Sequence, residues 1–289
     1  VGYKSQEIPV CKFFRPGSQC WKGDNCSYLH LQDRDVKVTE KRTVMCSNHM
    51  VDLPPVHTLV AVEVTSVFNP GHFFVQFTYG GVPHDELLDM AADGIDVDKP
   101  NPLDELSKEI NDHYSKKVYS DREVGIDLAL GEIVIAKYSQ DNQFYRARIT
   151  GVDTETQEVF YVDYGNKERV RESDIHQIEA RFCQLPFQAV ECYLANIEPL
   201  PTDQGKPRWS KAARDVFIDL TGGKVLIAHV LSRGWNDTLY VALFDTSTEA
   251  DTRIDYTLVK AGLARRVNIY NEQSVQERMM RHREGLAPG

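Results

Sequence analysis

Four tyrosines and one asparagine between residues 138 and 166 have the side chains and the spacing to enclose a cation. They are Tyr138, Tyr145, Tyr161, Tyr164 and Asn166. In the stretch VFYVDYGNKE, strict strand alternation would point Tyr161 and Tyr164 to opposite faces. The next two residues, Gly165 and Asn166, favour a turn, so the strand should end near Asp163. A bend there brings Tyr164 round to the side of Tyr161. The other two tyrosines end one predicted strand and open the next, so we expect four rings to converge at one mouth of a small barrel.

A group of rings like this suits a guanidinium or ammonium ion, because cation–π attraction contributes up to about 2 kcal/mol when the cation is desolvated. Methylation makes the cation larger and less hydrated, so it enters an aromatic enclosure more readily. The side-chain carbonyl of Asn166 can accept from a remaining guanidinium N–H, which favours methylarginine over trimethyl-lysine. Asp163 either bonds turn backbone or contacts the ligand, and the structural role is favoured. Asp141 and Glu168 are either rim contacts for a basic peptide or solvated surface charges.

The start of the chain carries three cysteines and a histidine in the pattern C-x8-C-x5-C-x3-H. The residues are Cys11, Cys20, Cys26 and His30. Three thiolates and an imidazole supply the four donors of a tetrahedral Zn²⁺ site, and a piece this small needs a metal to stay folded. The spacing resembles the CCCH zinc-finger family throughout, so we expect one structural Zn²⁺. Two further cysteines, Cys183 and Cys192, lie in apolar surroundings and are expected to be buried thiols.

The same stretch, VCKFFRPGSQCWKGDNCSYLH, interleaves aromatic and basic residues. Many CCCH fingers bind single-stranded RNA by stacking bases on aromatic rings, and the candidates here are Phe13, Phe14 and Tyr28. These rings can equally form the miniature core of the finger. RNA contact and internal packing both remain open.

Predicted elements place the tyrosines on a run of short strands. The strands are expected near 132–138, 144–152, 158–164, 167–171 and 174–178, which suggests a small barrel. A hairpin precedes them at 58–77, and its turn is Asn69-Pro70-Gly71. A helix over 101–118 is capped by Asn101, and its apolar residues recur at helical spacing. After the barrel we expect a strand at 189–197, a helix at 208–220, a hairpin at 224–232 and 238–244, and helices near 256–264 and 271–284.

Charge is spread unevenly along the 289 residues, whose net charge is −10. Residues 1–56 hold eight basic and six acidic residues, and the remaining 25 basic and 37 acidic residues leave the rest at −12. An acidic body favours cationic partners over phosphate backbones. No run of eighteen apolar residues exists and the start lacks an apolar signal region, so neither a membrane partner nor secretion is expected. No nucleophile–base set or acidic metal cluster stands out, so we assign no catalytic residue and expect no enzyme.

The run AKYSQDNQFYRARITGVDTETQEVFYVDYGNKERV closely resembles the Tudor domain, in the extended form of germline-granule and small-RNA pathway proteins. The hallmarks FYRARI and FYVDYGN both stand in it. By this resemblance, the aromatic-cage positions fall on the four tyrosines named above, with Asn166 as polar partner. The resemblance extends from about residue 55 to 265. It implies a mainly β fold with helices, in which a Tudor barrel is inserted into a split OB-fold like that of staphylococcal nuclease.

The predicted organisation follows from this resemblance. It comprises a CCCH finger (1–32), a linker (33–56), OB-fold halves (57–125 and 183–266) with linking helix 101–118, a Tudor barrel (126–182) and a polar C-terminal helix (267–289). The implied function is a reader of dimethylarginine, expected to be symmetric, in Arg-rich tails of Piwi-clade Argonaute proteins. It would act as a cytoplasmic scaffold of small-RNA silencing in perinuclear germ granules. The alternative is an RNA-binding protein led by the finger, with the OB-like half assisting.

Overall fold

The computed structural model of the chain describes residues 50–93, 101–117, 128–201, 205–248 and 250–267. All of them belong to the compact unit Met45–Gly289. The predicted finger and the helix predicted over 271–284 lie outside the described residues. None of the helices that the structure describes is long and apolar enough to cross a membrane.

The described part is mostly β-sheet. Its strands are β1 (Leu59–Asn69), β2 (His72–Phe77), β3 (Ile133–Lys137), β4 (Phe144–Val152), β5 (Thr156–Tyr161), β6 (Lys167–Arg171), β7 (Ile175–Gln177), β8 (Val190–Leu194), β9 (Ile197–Glu198), β10 (Val225–Arg233), β11 (Leu239–Asp245), β12 (Thr252–Arg253) and β13 (Arg265–Arg266). Its α-helices are α1 (His84–Ala92), α2 (Pro102–Lys117), α3 (Lys211–Thr221) and α4 (Ile254–Lys260).

The five central strands form a small barrel with the order β6-β5-β4-β3-β7. Its two outer strands follow each other in the chain and are joined by a single 3-10 turn, Glu172–Asp174, so the sheet curls back on itself. The alternating apolar residues of these strands fill the interior. They are Val134, Ala136, Ala147, Ile149, Val159, Tyr161, Val170 and Ile175. The predicted small barrel is therefore confirmed.

The strands of a second barrel lie before and after those of the first barrel in the sequence. The order of this second barrel is β10-β1-β2-β8-β11, and β11 pairs again with β10, which closes the ring. Only β8 and β11 run parallel, and the other neighbours are antiparallel. This is the five-stranded pattern of an OB-fold. Helix α3 connects β8 to β10, and the small barrel is inserted between β2 and β8. The expectation of a Tudor-type barrel inside a split OB-fold is confirmed.

Helix α2 is fastened to the small barrel by two of its side chains. Asn101 caps the helix by accepting from the Leu103 N–H at 3.0 Å. Further along the helix, the Asn111 amide exchanges two hydrogen bonds with the backbone of Phe144 in β4, at 2.7 and 3.1 Å. The fully buried Tyr114 donates to the Gln177 carbonyl of β7 at 2.8 Å. The predicted helix is therefore confirmed, and it is bonded to the central strand β4 and to the outer strand β7 of the barrel sheet.

Three elements differ from the expectation. Helix α1, which follows Pro83, is not predicted at all, although Asp85 and Glu86 in its first turn match the helix dipole. Helix α3 begins at Lys211 rather than at 208, because the Ser210 hydroxyl accepts from the Ala213 N–H and fixes the cap there. The strand expected over 158–164 ends at Tyr161, where the chain turns.

Candidate functional site at the mouth of the small barrel

The four predicted tyrosines meet at one end of the small barrel. Their ring centroids are 5.4 Å apart for Tyr138–Tyr161, 6.1 Å for Tyr145–Tyr161, 6.3 Å for Tyr138–Tyr145 and 5.1 Å for Tyr145–Tyr164. Every one of these pairs is close to perpendicular, with interplanar angles of 75° to 86°. Edge-to-face contact is an arrangement that aromatic rings prefer, and it presents ring faces from several directions. We call this group the tyrosine cluster.

A tight turn after β5 brings Tyr164 into the cluster. The Tyr161 carbonyl accepts from the N–H groups of Tyr164 (3.2 Å) and Gly165 (2.8 Å), and the Tyr161 N–H donates to the Asn166 carbonyl (2.9 Å). Gly165 has φ +83°, and an added Cβ would lie 2.1 Å from Cγ of Phe74 in β2. Only glycine fits this position without strain. The expected bend is present, and it lies two residues earlier than expected.

The hydroxyls of the cluster are tethered to groups around its edge. The Tyr145 hydroxyl donates to Asp141 Oδ2 at 2.6 Å. The Tyr161 hydroxyl lies 3.0 Å from the Lys137 carbonyl and 3.2 Å from Glu168 Oε2. Asp141 is exposed and Glu168 is half-buried, and each carboxylate lies within hydrogen-bonding distance of one ring hydroxyl at the rim of the cluster.

Three phenols of the cluster resist ionisation more strongly than a free tyrosine. Burial is the largest cause of the raised pKa of Tyr145, Tyr161 and Tyr164. The neighbouring carboxylates of Asp141 and Glu168 raise the pKa of Tyr145 and Tyr161 further, because ionisation would place two negative charges together. A neutral phenol retains the negative ring face that attracts a cation.

The members of the cluster differ in burial. Tyr161 is only 1% exposed and belongs to the barrel core, whereas Tyr138, Tyr145 and Tyr164 are half-buried. Asn166 is also half-buried, and its place in the turn is fixed by its backbone carbonyl. The turn does not use its side-chain amide.

Asp163 lies under the turn and faces away from solvent, at 2% exposed. Its carboxylate forms a bidentate pair with the fully buried Arg146, at 2.9 Å from Nε and 2.7 Å from Nη2. The same carboxylate accepts from the Gln188 N–H at 3.1 Å. Arg146 also donates to three carbonyls of the segment after the barrel, those of Phe182, Leu185 and Pro186. This arrangement supports the turn from below.

Sequence reasoning missed Arg146. The signal was present, because Phe144, Arg146 and Arg148 alternate on the face of β4 opposite Tyr145. A charged residue in the middle of a strand calls for a buried partner, and Asp163 is the acid in the turn that follows the next strand.

The OB barrel holds the other side of the turn. The Thr65 hydroxyl donates to the Tyr164 carbonyl at 2.8 Å, and the Gln76 amide donates to the Asp163 carbonyl at 2.6 Å. The Phe74 ring packs against Phe160 at 5.5 Å. Strands β1 and β2 thus help to position the tyrosine cluster, although they belong to a different barrel.

The other residues predicted from the sequence are the ligands and stacking residues of the finger and two cysteines. The zinc ligands and the candidate stacking residues of the finger lie outside the described residues, and those residues that are described hold no group of three His, Cys, Asp or Glu able to bind a metal. Cys192 is a buried free thiol, as expected, and burial raises its pKa. Cys183 is disulfide-bonded, so the expectation of a thiol there is wrong.

Comparison with known proteins agrees with this geometry. Residues 54–196 match the Tudor domain, and residues 6–32 match the zinc finger of C-x8-C-x5-C-x3-H type. Mouse RING finger protein 17 is 30% identical over 229 residues, which are 78% of this chain and 12% of that protein. The chain thus spans a small part of this relative.

Two solved structures are similar over their whole length. One is the extended Tudor domain TD3 of mouse TDRD1 in complex with a MILI peptide containing dimethylarginine (26% identity, TM-score 0.61, 77% of this chain and 100% of that one). The other is a variant of the Drosophila melanogaster Papi extended Tudor domain in complex with a dimethylated Piwi N-terminal peptide (25% identity, TM-score 0.54, 72% and 99%). The chain therefore carries an extended Tudor domain preceded by a CCCH zinc finger.

Proposed function

We propose that the chain is a non-catalytic reader that binds dimethylarginine, in its symmetric form, within an Arg-rich tail of a Piwi-clade Argonaute protein. The observation that carries this proposal is the tyrosine cluster, whose four rings lie 5.1–6.3 Å from their neighbours. The roles assigned to Tyr138, Tyr145, Tyr161, Tyr164 and Asn166 are part of it. The peptides named for the mouse and fly structures support the choice of ligand class.

The electrostatics of the site favour a cation over a neutral ligand. Asp141 and Glu168 lie at the hydroxyls of Tyr145 and Tyr161 and contribute negative potential to the cluster. The whole chain has a net charge of −10, which steers basic tails towards it. The Asn166 amide then supplies the acceptor for a guanidinium N–H.

The wider role is also a proposal. A reader that couples a Piwi-type protein to other components acts as a scaffold in small-RNA silencing, and the proposed location is the cytoplasmic germ granule. The finger is proposed to hold one structural Zn²⁺ through Cys11, Cys20, Cys26 and His30, in accordance with its family.

Calorimetry with one Arg-rich peptide in unmodified, asymmetrically dimethylated and symmetrically dimethylated forms tests the proposal. We expect the symmetric form to bind most tightly. Asn166→Ala should weaken it about 10- to 150-fold, because a hydrogen bond to a charged group contributes about 1.5–3 kcal/mol. Gln140→Ala removes an exposed amide from the neighbouring loop and is the matched control. Equal affinity for all three peptides would refute the proposal.

Tyr161 needs a different substitution. At sequence level Tyr161→Ala is expected to abolish binding and to leave the fold intact, but a ring that is 1% exposed in the barrel core cannot be truncated without cost. Such a truncation destabilises by about 3–5 kcal/mol. Tyr161→Phe keeps the packing and removes only the hydroxyl bonded towards Glu168.

A further inference from the structure

A stack of aromatic rings crosses the outer face of the OB barrel. Phe68 at the end of β1 stacks on His72 of β2, with centroids 4.8 Å apart and planes 13° from parallel. His72 stacks on Tyr193 of β8 at 5.4 Å and 9°, and Tyr193 continues to Tyr240 of β11 at 5.4 Å. His72 Nε2 lies 2.7 Å from Glu191 Oε1, which holds the imidazole in place. Phe68 begins this row and is 40% exposed.

A basic segment adjoins the start of this stack. Residues 205–214 contain four basic residues and no acidic residue, and all four are exposed. They are Lys206, Arg208, Lys211 and Arg214. Because the remainder of the chain is strongly acidic, this segment is a local exception to the field of the whole protein.

Two contacts bind the basic segment to the hairpin that carries Phe68. Arg214 Nε donates to the Val67 carbonyl at 3.2 Å, directly beside Phe68 in the chain. Trp209 lies against the β1–β2 turn, where a Cβ on Gly71 would come within 2.5 Å of its indole nitrogen. The positive charges and the exposed ring therefore occupy the same end of the barrel.

The ion pair between Lys211 and Asp215 does not cancel the charge of this segment. Asp215 lies 3.8 Å from Lys211 Nζ, but both side chains are largely exposed, at 48% and 87%, and such pairs contribute little. Arg208 and Arg214 carry no ion pair to any residue within the described ranges. A peptide rich in arginine would meet charges of its own sign here, whereas a phosphate backbone would meet the opposite sign.

We propose that this end of the OB barrel binds single-stranded nucleic acid. A base stacks on Phe68 and extends the row of rings, while Arg208, Lys211 and Arg214 contact the flanking phosphates. Single-strand binders combine these two features, and OB-folds bind oligonucleotides on strands 2 and 3 and on the loop between strands 1 and 2. The site uses neither the tyrosine cluster nor the finger.

Fluorescence anisotropy on the full chain tests the proposal, with labelled unstructured 12-nucleotide RNA and DNA as probes. Phe68→Ala should weaken binding about 5- to 150-fold, which is about 1–3 kcal/mol for one stacked base. Tyr256→Ala removes a ring that is 54% exposed on helix α4, and should leave the affinity for the oligonucleotides unchanged. The finger is identical in both variants, so the difference between them reports this surface alone.

Charge reversal gives a second measurement. Arg208→Glu with Lys211→Glu should lower the slope of log K against log salt by about 0.7 for each phosphate that the protein no longer neutralises. Arg169→Glu with Arg171→Glu, on β6 of the small barrel, is the matched control.

Three results would overturn the proposal. If Phe68→Ala and Tyr256→Ala bind the oligonucleotides with equal affinity, the proposed stacking on Phe68 is refuted. If the two charge-reversal variants show equal slopes of log K against log salt, the proposed phosphate contacts are refuted. Loss of methylarginine-peptide binding in Phe68→Ala, with oligonucleotide binding unchanged, would assign the surface to the peptide instead. A failure of the tyrosine cluster to bind methylarginine would leave the oligonucleotide measurements unaffected. Comparison of the RNA and DNA probes shows which nucleic acid the surface prefers.

Discussion

The buried pair beneath the turn gives the sharpest prediction. Asp163→Asn keeps the shape of the side chain and removes its charge, which leaves the Arg146 guanidinium without a counter-ion. The two side chains are 3% and 0% exposed, so water cannot replace the lost interaction. In addition, the NH2 group of the new asparagine would face the N–H donors of Arg146, so that two donors would meet. Removing one partner of such a pair destabilises by about 3–5 kcal/mol. For a unit of this size that corresponds to a fall in Tm of about 6–20 °C.

Urea denaturation of the single and double variants measures the effect. Asp163→Asn and Arg146→Met should each be strongly destabilised, and the double variant should lose much less than their sum, because it leaves no unpaired charge. Asp174→Asn breaks an exposed pair with Arg171 and should cost less than about 1 kcal/mol. A loss below about 1 kcal/mol for Asp163→Asn, or strict additivity in the double variant, would refute the reasoning.

Two further predictions concern the turn and the pH range. Gly165→Ala should destabilise the fold by about 2–4 kcal/mol, because the added methyl group would collide with Phe74 and the backbone would hold alanine at a positive φ. Gly131 has a similar φ of +84° but open space around it, so Gly131→Ala is the control. It should cost about 1 kcal/mol when both variants are measured by urea denaturation. Burial and the bond to Asp141 raise the pKa of Tyr145 above its unfolded value of about 10, so its contribution to stability is present below that pH and is lost as the pH rises further. Tyr145→Phe should flatten the alkaline fall of Tm, and identical alkaline curves for both proteins would contradict this.

Local chemistry made the tyrosine cluster predictable from sequence. The bend after β5 follows from Gly165, which alone fits against Phe74 at positive φ. Helix α2 follows from its Asn101 cap and the spacing of its apolar residues. The split OB-fold was expected only from the resemblance to extended Tudor domains, whose parts the two hairpins on either side of the small barrel match.

The supports of the cluster were not predictable in the same way. Arg146 bonds three carbonyls that lie 36 to 40 residues further along the chain, and spacing alone does not reveal such a contact. The bonds of Asp141 and Glu168 to the hydroxyls of Tyr145 and Tyr161 form only when the loop and the strand that carry the two acids are folded against the rings. These side chains are positioned by tertiary packing, which overrides local patterns.

The insertion of one barrel within another sets an order of assembly on the ribosome. Strand β2 ends at Phe77 and its sheet neighbour β8 begins at Val190, so roughly 110 residues are translated between them. At about 5–20 residues per second, the nascent hairpin waits about 5–20 seconds with an open edge that invites pairing with other chains. The inserted barrel emerges complete in that interval, and the outer one closes last. Substitutions that delay the inner barrel should therefore lower the yield of soluble protein during synthesis, even where the finished fold tolerates them.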